Sequence, residues 1–499
     1  MKQSRVGPSQ DPLKASNFFG LPKKRREFFV LLVRIGLLVC LLGTVSLALH
    51  SPFWTKSSTR FNLPNRMRTG REISSQGSGD AGPTNISHIV FGIGASVNTW
   101  RERSRYGLQW WEPNTTRGFA WLDGEFKPGN QRNDSVFSII PHRVSEDWTR
   151  FKYSSSQSAV RIARIVLESF RVGLPNVRWF VMGDDDTVFF PDNLVSVLAS
   201  YDHNQMYYVG GNSESVEQDA MHAYDMAFGG GGFAVSRPLA ARLVNILDSC
   251  LDRYYRFYGS DQRIWACLSE LGVPLTRHRG FHQLDIRGDP YGLLAAHPLA
   301  PVVSLHHLDY LDPIFPGQTR IDSVKTLMKA YRFDPRRILQ QCFCYDKKRK
   351  WSISIAWGYT LQIYPFMLAA NDLQTPMQTF KTWGSWSSGP FTFNTRPVST
   401  DPCQHQVVYF LDRVEEVGES GTRTSYEMHA SKETKCKTEE YKHAMAVQRV
   451  VVSSMKMERD YWNKAPVRQC CEIMDRGSIK NGTLRIRIRK CRPQETITV

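Results

Sequence analysis

From His88 onward, short apolar runs alternate with stretches of helical periodicity, a pattern that predicts an α/β fold. The clearest passage is 156–186. Ala159, Ile162, Ala163, Val166 and Phe170 recur at helical spacing behind Ser156 and Ser158 as caps, and Gly173 and Pro175 stop that helix. The apolar run 178–182 predicts a strand leading directly into Gly183 and the carboxylates Asp184, Asp185 and Asp186. Pro191 starts another helix, 207–211 reads as a strand, and Gly229–Gly232 lead into a strand that ends near Ser236. Leu239, Leu243, Ile246, Leu247 and Cys250 predict one helix face, and a further helix begins with Ser260 or Asp261 as its cap and closes at Gly272. Cys250 and Cys267 fall on these neighbouring helices, where they could bridge. Near residue 340 the pattern changes: 351–364, 380–393, 407–410 and 484–489 read as alternating strands between turns.

The N-terminal region is different again. Phe28 to Leu49 is an apolar run whose one charged member is Arg34, long enough to span a bilayer, and Lys23 to Arg26 sit just before it. This predicts an uncleaved anchor of type II topology, with a signal peptide as the alternative; either exports the remainder. A short anchor suits the thinner membranes of the early secretory route. The predicted organisation is a cytoplasmic tail at 1–27, an anchor at 28–49 and a Ser/Gly/Pro-rich stem at 50–86. An α/β domain at 87–335 and a β-rich, cysteine-containing module at 336–499 complete it.

Composition narrows the function. With 499 residues, 41% hydrophobic and 22% charged, most of the chain can fold into two to four units. Lys and Arg number 64 against 47 Asp and Glu, a formal charge of +17 that suits an anionic partner without choosing one. No nucleic-acid reading motif accompanies it, so nucleic acid is not an expected partner. Nine of the ten cysteines follow the anchor without zinc-ribbon spacing, which favours disulfides and leaves one thiol over. Asn85, Asn114, Asn133 and Asn481 head glycosylation tripeptides, which fit an exported chain.

The chemistry centres on Asp184–Asp186. Three carboxylates at the carboxyl end of a buried strand occupy the place where open α/β sheets bind ligands, although such a run also suits a solvated turn. A strand-end D-x-D fits Mg²⁺ or Mn²⁺ bridging a diphosphate. Together with Trp179–Val188, the blocks Gly229–Ser236, Tyr258–Asp261 and Ser304–Tyr310 occur in an order that resembles the Fringe-like β-1,3-glycosyltransferases (glycosyltransferase family 31). The likeness runs over roughly 88–320 and is stronger to plant relatives of unassigned activity.

That resemblance implies a GT-A (Rossmann-like) fold transferring a sugar from a UDP-sugar with inversion, β-1,3 in linkage, onto a glycan, glycoprotein or small-molecule hydroxyl. Asp186 and His306 would ligate Mn²⁺ or Mg²⁺ with Asp184. Asp184, Asp185, Gly230, Gly231 and Gly232 would hold the nucleotide sugar, and Asp261 would take the acceptor proton, unless it serves only as a helix cap. His307 is the alternative ligand to His306. Arg161 and Arg164 are candidates for phosphate contact or a plain helix face. Trp100, Trp110 and Trp111 would stack on a sugar or fill the core. The implied setting is the Golgi membrane with the catalytic part lumenal, as monomer or homodimer. The competing function is a lumenal carbohydrate-binding or scaffold protein that keeps the fold without turnover.

Overall fold

The computed structural model describes residues 34–38, 40, 82–126, 139–153, 156–429, 436–475 and 480–498. The expected anchor lies mostly outside these, as do the tail, the stem up to residue 81 and Asn133. Among the described residues no helix is long and apolar enough to cross a membrane. The chain divides into two compact units, 1–77 and 78–499; the second carries everything below.

Its strands are β1 (Ile89–Gly94), β2 (Gly118–Leu122), β3 (His142–Val144), β4 (Trp179–Asp184), β5 (Val188–Phe189), β6 (Tyr208–Gly210), β7 (Phe233–Ser236), β8 (Leu275–Arg277), β9 (Phe281–Gln283), β10 (Ile286–Gly288) and β11 (Ser304–His306). Helices α1 (Trp100–Gly107), α2 (Gln157–Arg171), α3 (Pro191–Leu198), α4 (Val216–Met221), α5 (Arg237–Arg253) and α6 (Ser260–Glu270) are interspersed. Seven strands form a mixed sheet in the order β3-β2-β1-β4-β7-β6-β8. β1 is parallel to β2 and β4, whereas β7 runs antiparallel to β4. β1 and the first five residues of β4 are buried, because helices or further core cover both faces and only an unbroken apolar run suits such a position.

One face packs on α2, α5 and α6 through Val160, Ala163, Leu243, Leu247 and Ile264, and Cys250 bonds Cys267 across α5 and α6. The other face holds Phe91, Trp110 and Trp111 in a core that continues through Phe189 and Leu305 into the C-terminal region. Trp100, Trp110 and Trp111 are 1%, 3% and 4% exposed, so they are core residues and offer no ring to a sugar. The cap of α6 is Gly259, one residue before Ser260 and two before Asp261; Asp261 sits inside the first turn, where its carboxylate is engaged elsewhere.

Beyond residue 340 the chain forms β12 (Gln341–Asp346), β13 (Trp351–Ala356), β14 (Thr360–Tyr364), β15 (Phe380–Thr382), β16 (Val407–Val417), β17 (Gly421–Met428), β18 (Arg449–Met455), β19 (Cys470–Ile473) and β20 (Thr483–Arg489). All but β15 close into a barrel in the order β12-β13-β14-β16-β17-β18-β20-β19. β20 shows why: Leu484, Ile486 and Ile488 are buried while Arg485 and Arg487 face solvent, the period-two alternation of a strand with one wet face. Of the aromatic run 380–393, Phe380–Thr382 alone forms a strand, and it leaves the barrel to pair antiparallel with β10. Cys344–Cys471, Cys403–Cys436 and Cys470–Cys491 are bonded, leaving Cys342 as a buried free thiol.

Candidate functional site

The site forms where β4 ends. The Thr187 N–H donates to the Asp184 carbonyl (3.0 Å), the Asp184 N–H to Thr187 Oγ1 (2.8 Å), and that hydroxyl to the Gly230 carbonyl (2.7 Å). A tight turn is thereby tied to the glycine run before β7. Asp184, Asp186 and His306 offer ligand atoms that all lie within 4.8 Å of one another. Asp186 Oδ1 is 3.1 Å from His306 Nε2, and Asp184 Oδ2 is 3.8 Å from it.

Gln283, the register partner of His306 on the neighbouring strand β9, fixes the ring. Its Oε1 accepts from the Gly231 N–H (2.6 Å), its Nε2 donates to Asp285 (3.1 Å), and its Oε1 also faces His306 Nδ1 at 3.0 Å. With the amide so oriented, Nδ1 must donate, and Nε2 is turned to the carboxylates. Such a partner sets the tautomer of a metal-binding imidazole. His307 is held by Asp285 at 2.9 Å and lies outside the three-residue cluster.

Charge is concentrated here. Burial opposes protonation of His306, but Asp186, with Asp184 and Asp285, outweighs it and raises the ring to about 9. Enclosure lifts Asp184 to about 6. Burial would also raise Asp186, yet His306 and Arg103 hold it well below the usual carboxylate range. Asp186 is wholly buried, and its Oδ2 has no hydrogen-bond partner among the described residues. Two carboxylates, one oriented imidazole and an unsatisfied buried oxygen fit a divalent cation of the Mn²⁺ or Mg²⁺ class.

Asp185 is engaged by α1 and the residue before it. Thr99 Oγ1 donates to it at 3.1 Å, and Arg103 lies 3.3 Å away while also reaching Asp186 (3.6 Å) and Asp309 (2.7 Å). Burial lifts Asp185 to about 7 and Asp309 to about 6, with Asp186 adding to both. Arg103, Gln283 and Asp309 were not predicted. Asp309 lies inside the Ser304–Tyr310 block, so its proximity to His306 offered a signal; Arg103 and Gln283 had none.

Asp261 also meets the glycine run. Its Oδ2 accepts from the Gly229 N–H (3.2 Å) and its Oδ1 from the Gln262 N–H (2.9 Å). Asp184 and Asp261 line one narrow cavity walled by Ile162, Ile165, Met182 and Ile264. Enclosure raises Asp261 above the ordinary carboxylate value. A Cβ on Gly230 would fall 2.0 Å from the His306 ring, and Gly232 has φ +85°, so two of these positions demand glycine.

Arg161 and Arg164 do not reach this cavity's carboxylates as free cations. Arg161 donates to the Trp121 carbonyl (2.8 Å), and Arg164 is fully buried against Glu146, Glu168 and Asp248. Asn85, Asn114 and Asn481 are exposed.

Residues 218–471 match the family described as "Protein of unknown function, DUF604", and 137–293 match the Fringe-like family. A "Beta-1,3-glucosyltransferase" of Mus musculus is 32% identical over 151 residues, 30% of this chain and 29% of that protein, so the chain spans less than a third of its relative. The solved structure titled "Crystal structure of a glycosyltransferase involved in the glycosylation of the major capsid of PBCV-1" is 12% identical with a TM-score of 0.25, over 48% of this chain and 98% of its own. The Fringe-like match contains Asp184–Asp186 and Asp261, and the other extends over the barrel as far as Cys471: the chain belongs to the DUF604 family and carries a Fringe-like region within it.

Proposed function

We propose that the protein is a metal-dependent, inverting glycosyltransferase that moves a sugar from a UDP-sugar to a hydroxyl of a carbohydrate or glycoconjugate, in β-1,3 linkage. The observation that carries this is that Asp184, Asp186 and His306 offer ligand atoms within 4.8 Å of one another, while Asp261, which accepts from the Gly229 N–H, lines one cavity with Asp184. A bound Mn²⁺ or Mg²⁺ at the first three would neutralise the diphosphate's developing charge.

The protein's own groups do the rest. Asp261 takes the proton of the acceptor hydroxyl as its oxygen bonds to the anomeric carbon, while the bond to UDP breaks and UDP leaves with the electron pair. A base raised by enclosure suits that proton transfer. Asp184, which shares Asp261's cavity, would hold the nucleotide sugar together with Asp185, Gly230, Gly231 and Gly232. Residues 87–335 would house the catalytic site and 336–499 support it. The four disulfides and the sequons favour the secretory lumen, with the protein held in Golgi membrane by the 28–49 segment.

The test is calorimetric titration of the full-length protein with UDP, in Mn²⁺ and then in chelator. Binding that vanishes with chelator and in Asp186→Asn supports the assignment. Metal-independent binding overturns the metal assignment. A folded protein that binds no UDP instead matches a carbohydrate-binding protein without turnover.

A further inference from the structure

The turn after β15 has no task in the scheme above, yet it is firmly placed. Its feet are tied by the Thr382 N–H donating to the Ser387 carbonyl (3.0 Å) and the Ser387 N–H to Thr382 Oγ1 (3.0 Å). Glu217 of α4 accepts from the Gly384 N–H (3.0 Å), the Ser385 N–H (3.2 Å) and the Ser385 hydroxyl. At the tip, Trp386 is 62% exposed and has φ +55°, a region that bulky side chains avoid. A rigid turn that holds a tryptophan in water spends stability on presenting the ring, and such features concentrate where ligands bind.

The neighbouring rings extend this surface toward the site. Trp383 stacks on His307 with centroids 4.6 Å apart and planes 8° from parallel, and His307 directly follows the candidate ligand His306. The Arg287 guanidinium lies over the Trp383 ring, 3.6 Å from its centroid, and is 5.4 Å from the ring of Tyr310 and 5.7 Å from that of Trp386. Tyr310, 44% exposed, meets Trp383 edge-on at 5.2 Å. The other support of the turn, α4, is capped at its C-terminus by His222, whose carbonyl accepts from Gln262 Nε2 beside the base Asp261 (3.4 Å). The aromatic surface is thus anchored both to the metal-side histidines and to the helix flanking the base.

We propose that the exposed rings Trp386 and Tyr310, held around Arg287 and the sandwiched Trp383, form the seat of a neutral pyranoside acceptor, which deepens and rests on the glycosyltransferase reading. The C–H face of a pyranose is what an exposed indole recognises, while its hydroxyls stay free for reaction. The acceptor is neutral because the Arg287 charge is already covered by three rings. It is an acceptor rather than a donor seat because β10 and β15 supply no residue to the carboxylate cluster.

Methyl β-D-glucopyranoside, cellobiose and laminaribiose are the probes, offered to full-length protein saturated with UDP and Mn²⁺ and followed by saturation-transfer NMR. At least one should bind. Trp386→Ala should weaken it about tenfold, Trp386→Phe by less than about threefold, and neither should change UDP affinity. In turnover assays Trp386→Ala should raise the acceptor KM and leave the donor KM unchanged. Saccharide binding indifferent to Trp386, or no binding of any probe by protein that binds UDP, overturns the platform and leaves the transferase reading standing. Failure to bind UDP overturns that reading, and the acceptor role with it.

Discussion

Gly230 is the position with the least room for change. Its carbonyl is fixed by Thr187 and its missing side chain is the space His306 occupies, so Gly230→Ala must displace either the turn or the ring. Loss of Mn²⁺-dependent UDP binding is expected, with a stability loss of only about 1–3 kcal/mol by thermal unfolding, the usual cost of overpacking. Glu168 gives a separate prediction. Burial lifts its carboxyl from 4.5 to about 7, with Arg164 opposing the shift and Glu146 adding to it. A raised carboxylate binds its proton more tightly in the folded state, so its stability contribution is full below pH 4.5 and is lost as pH rises to 7. Glu168→Gln should therefore be more stable than wild type by about 1–3 kcal/mol at pH 8, converging near pH 4, in urea titrations at both pH values. The same residues show what a sequence displays. Asp184, Asp186, Gly230, Asp261 and His306 stand in compact blocks, and the fold brings those blocks together. Arg103 and Gln283 act across the fold from positions with no local pattern, while Arg161 and Arg164 have the pattern of a solvated helix face and are buried.

Elements follow their sequence where periodicity decides them. α2 spans Gln157–Arg171, and Gly173 at φ +70° closes its C-terminal turn as its position predicts. The α6 cap departs because Asp261 is drawn to the Gly229 N–H. The turn after β15 departs because a hairpin-like run of aromatics is indistinguishable from a strand until its partner is known. Alternation in β20 announces a strand, but barrel closure depends on pairings distant in sequence, which periodicity does not encode. That closure rests on one register pair between β12 and β19, Phe343 with Cys470, and beside it the Cys344–Cys471 bond spans 127 residues of chain. A crosslink over so long a loop removes much of the unfolded chain's entropy. Replacing both cysteines with alanine should cost about 3–5 kcal/mol in urea unfolding under non-reducing conditions. A change below about 1 kcal/mol would show that the β12–β19 seam holds without it.

At the scale of the molecule, the shift of pattern near residue 336 marks a change from mixed sheet to mainly β elements, and contacts cross it throughout. β10 takes its partner β15 from beyond it. Gln341 Nε2 donates to the carbonyl of Ala295 (2.9 Å), Gln340 Nε2 to that of Ala300 (2.7 Å), and Gln362 Nε2 to the Tyr291 hydroxyl (2.7 Å). Phe315 meets Tyr359 edge-on at 5.3 Å, and Tyr291 lies 5.7 Å from Phe410. One apolar core runs from Ile89 to Ile488, and these buried glutamine hydrogen bonds cross it between sheet and barrel. Units joined through a shared core unfold together, whereas domains joined by a small polar interface do not. Calorimetry on the full chain should therefore give a single cooperative transition for residues 78–499. A fragment ending at Arg336 would expose Tyr291, Phe315 and the unpaired β10 edge, and it should aggregate or unfold without a sharp transition. A soluble fragment with its own cooperative melt would mean that the barrel is an appendage. It would then have no part in holding the acceptor-side turn over His307.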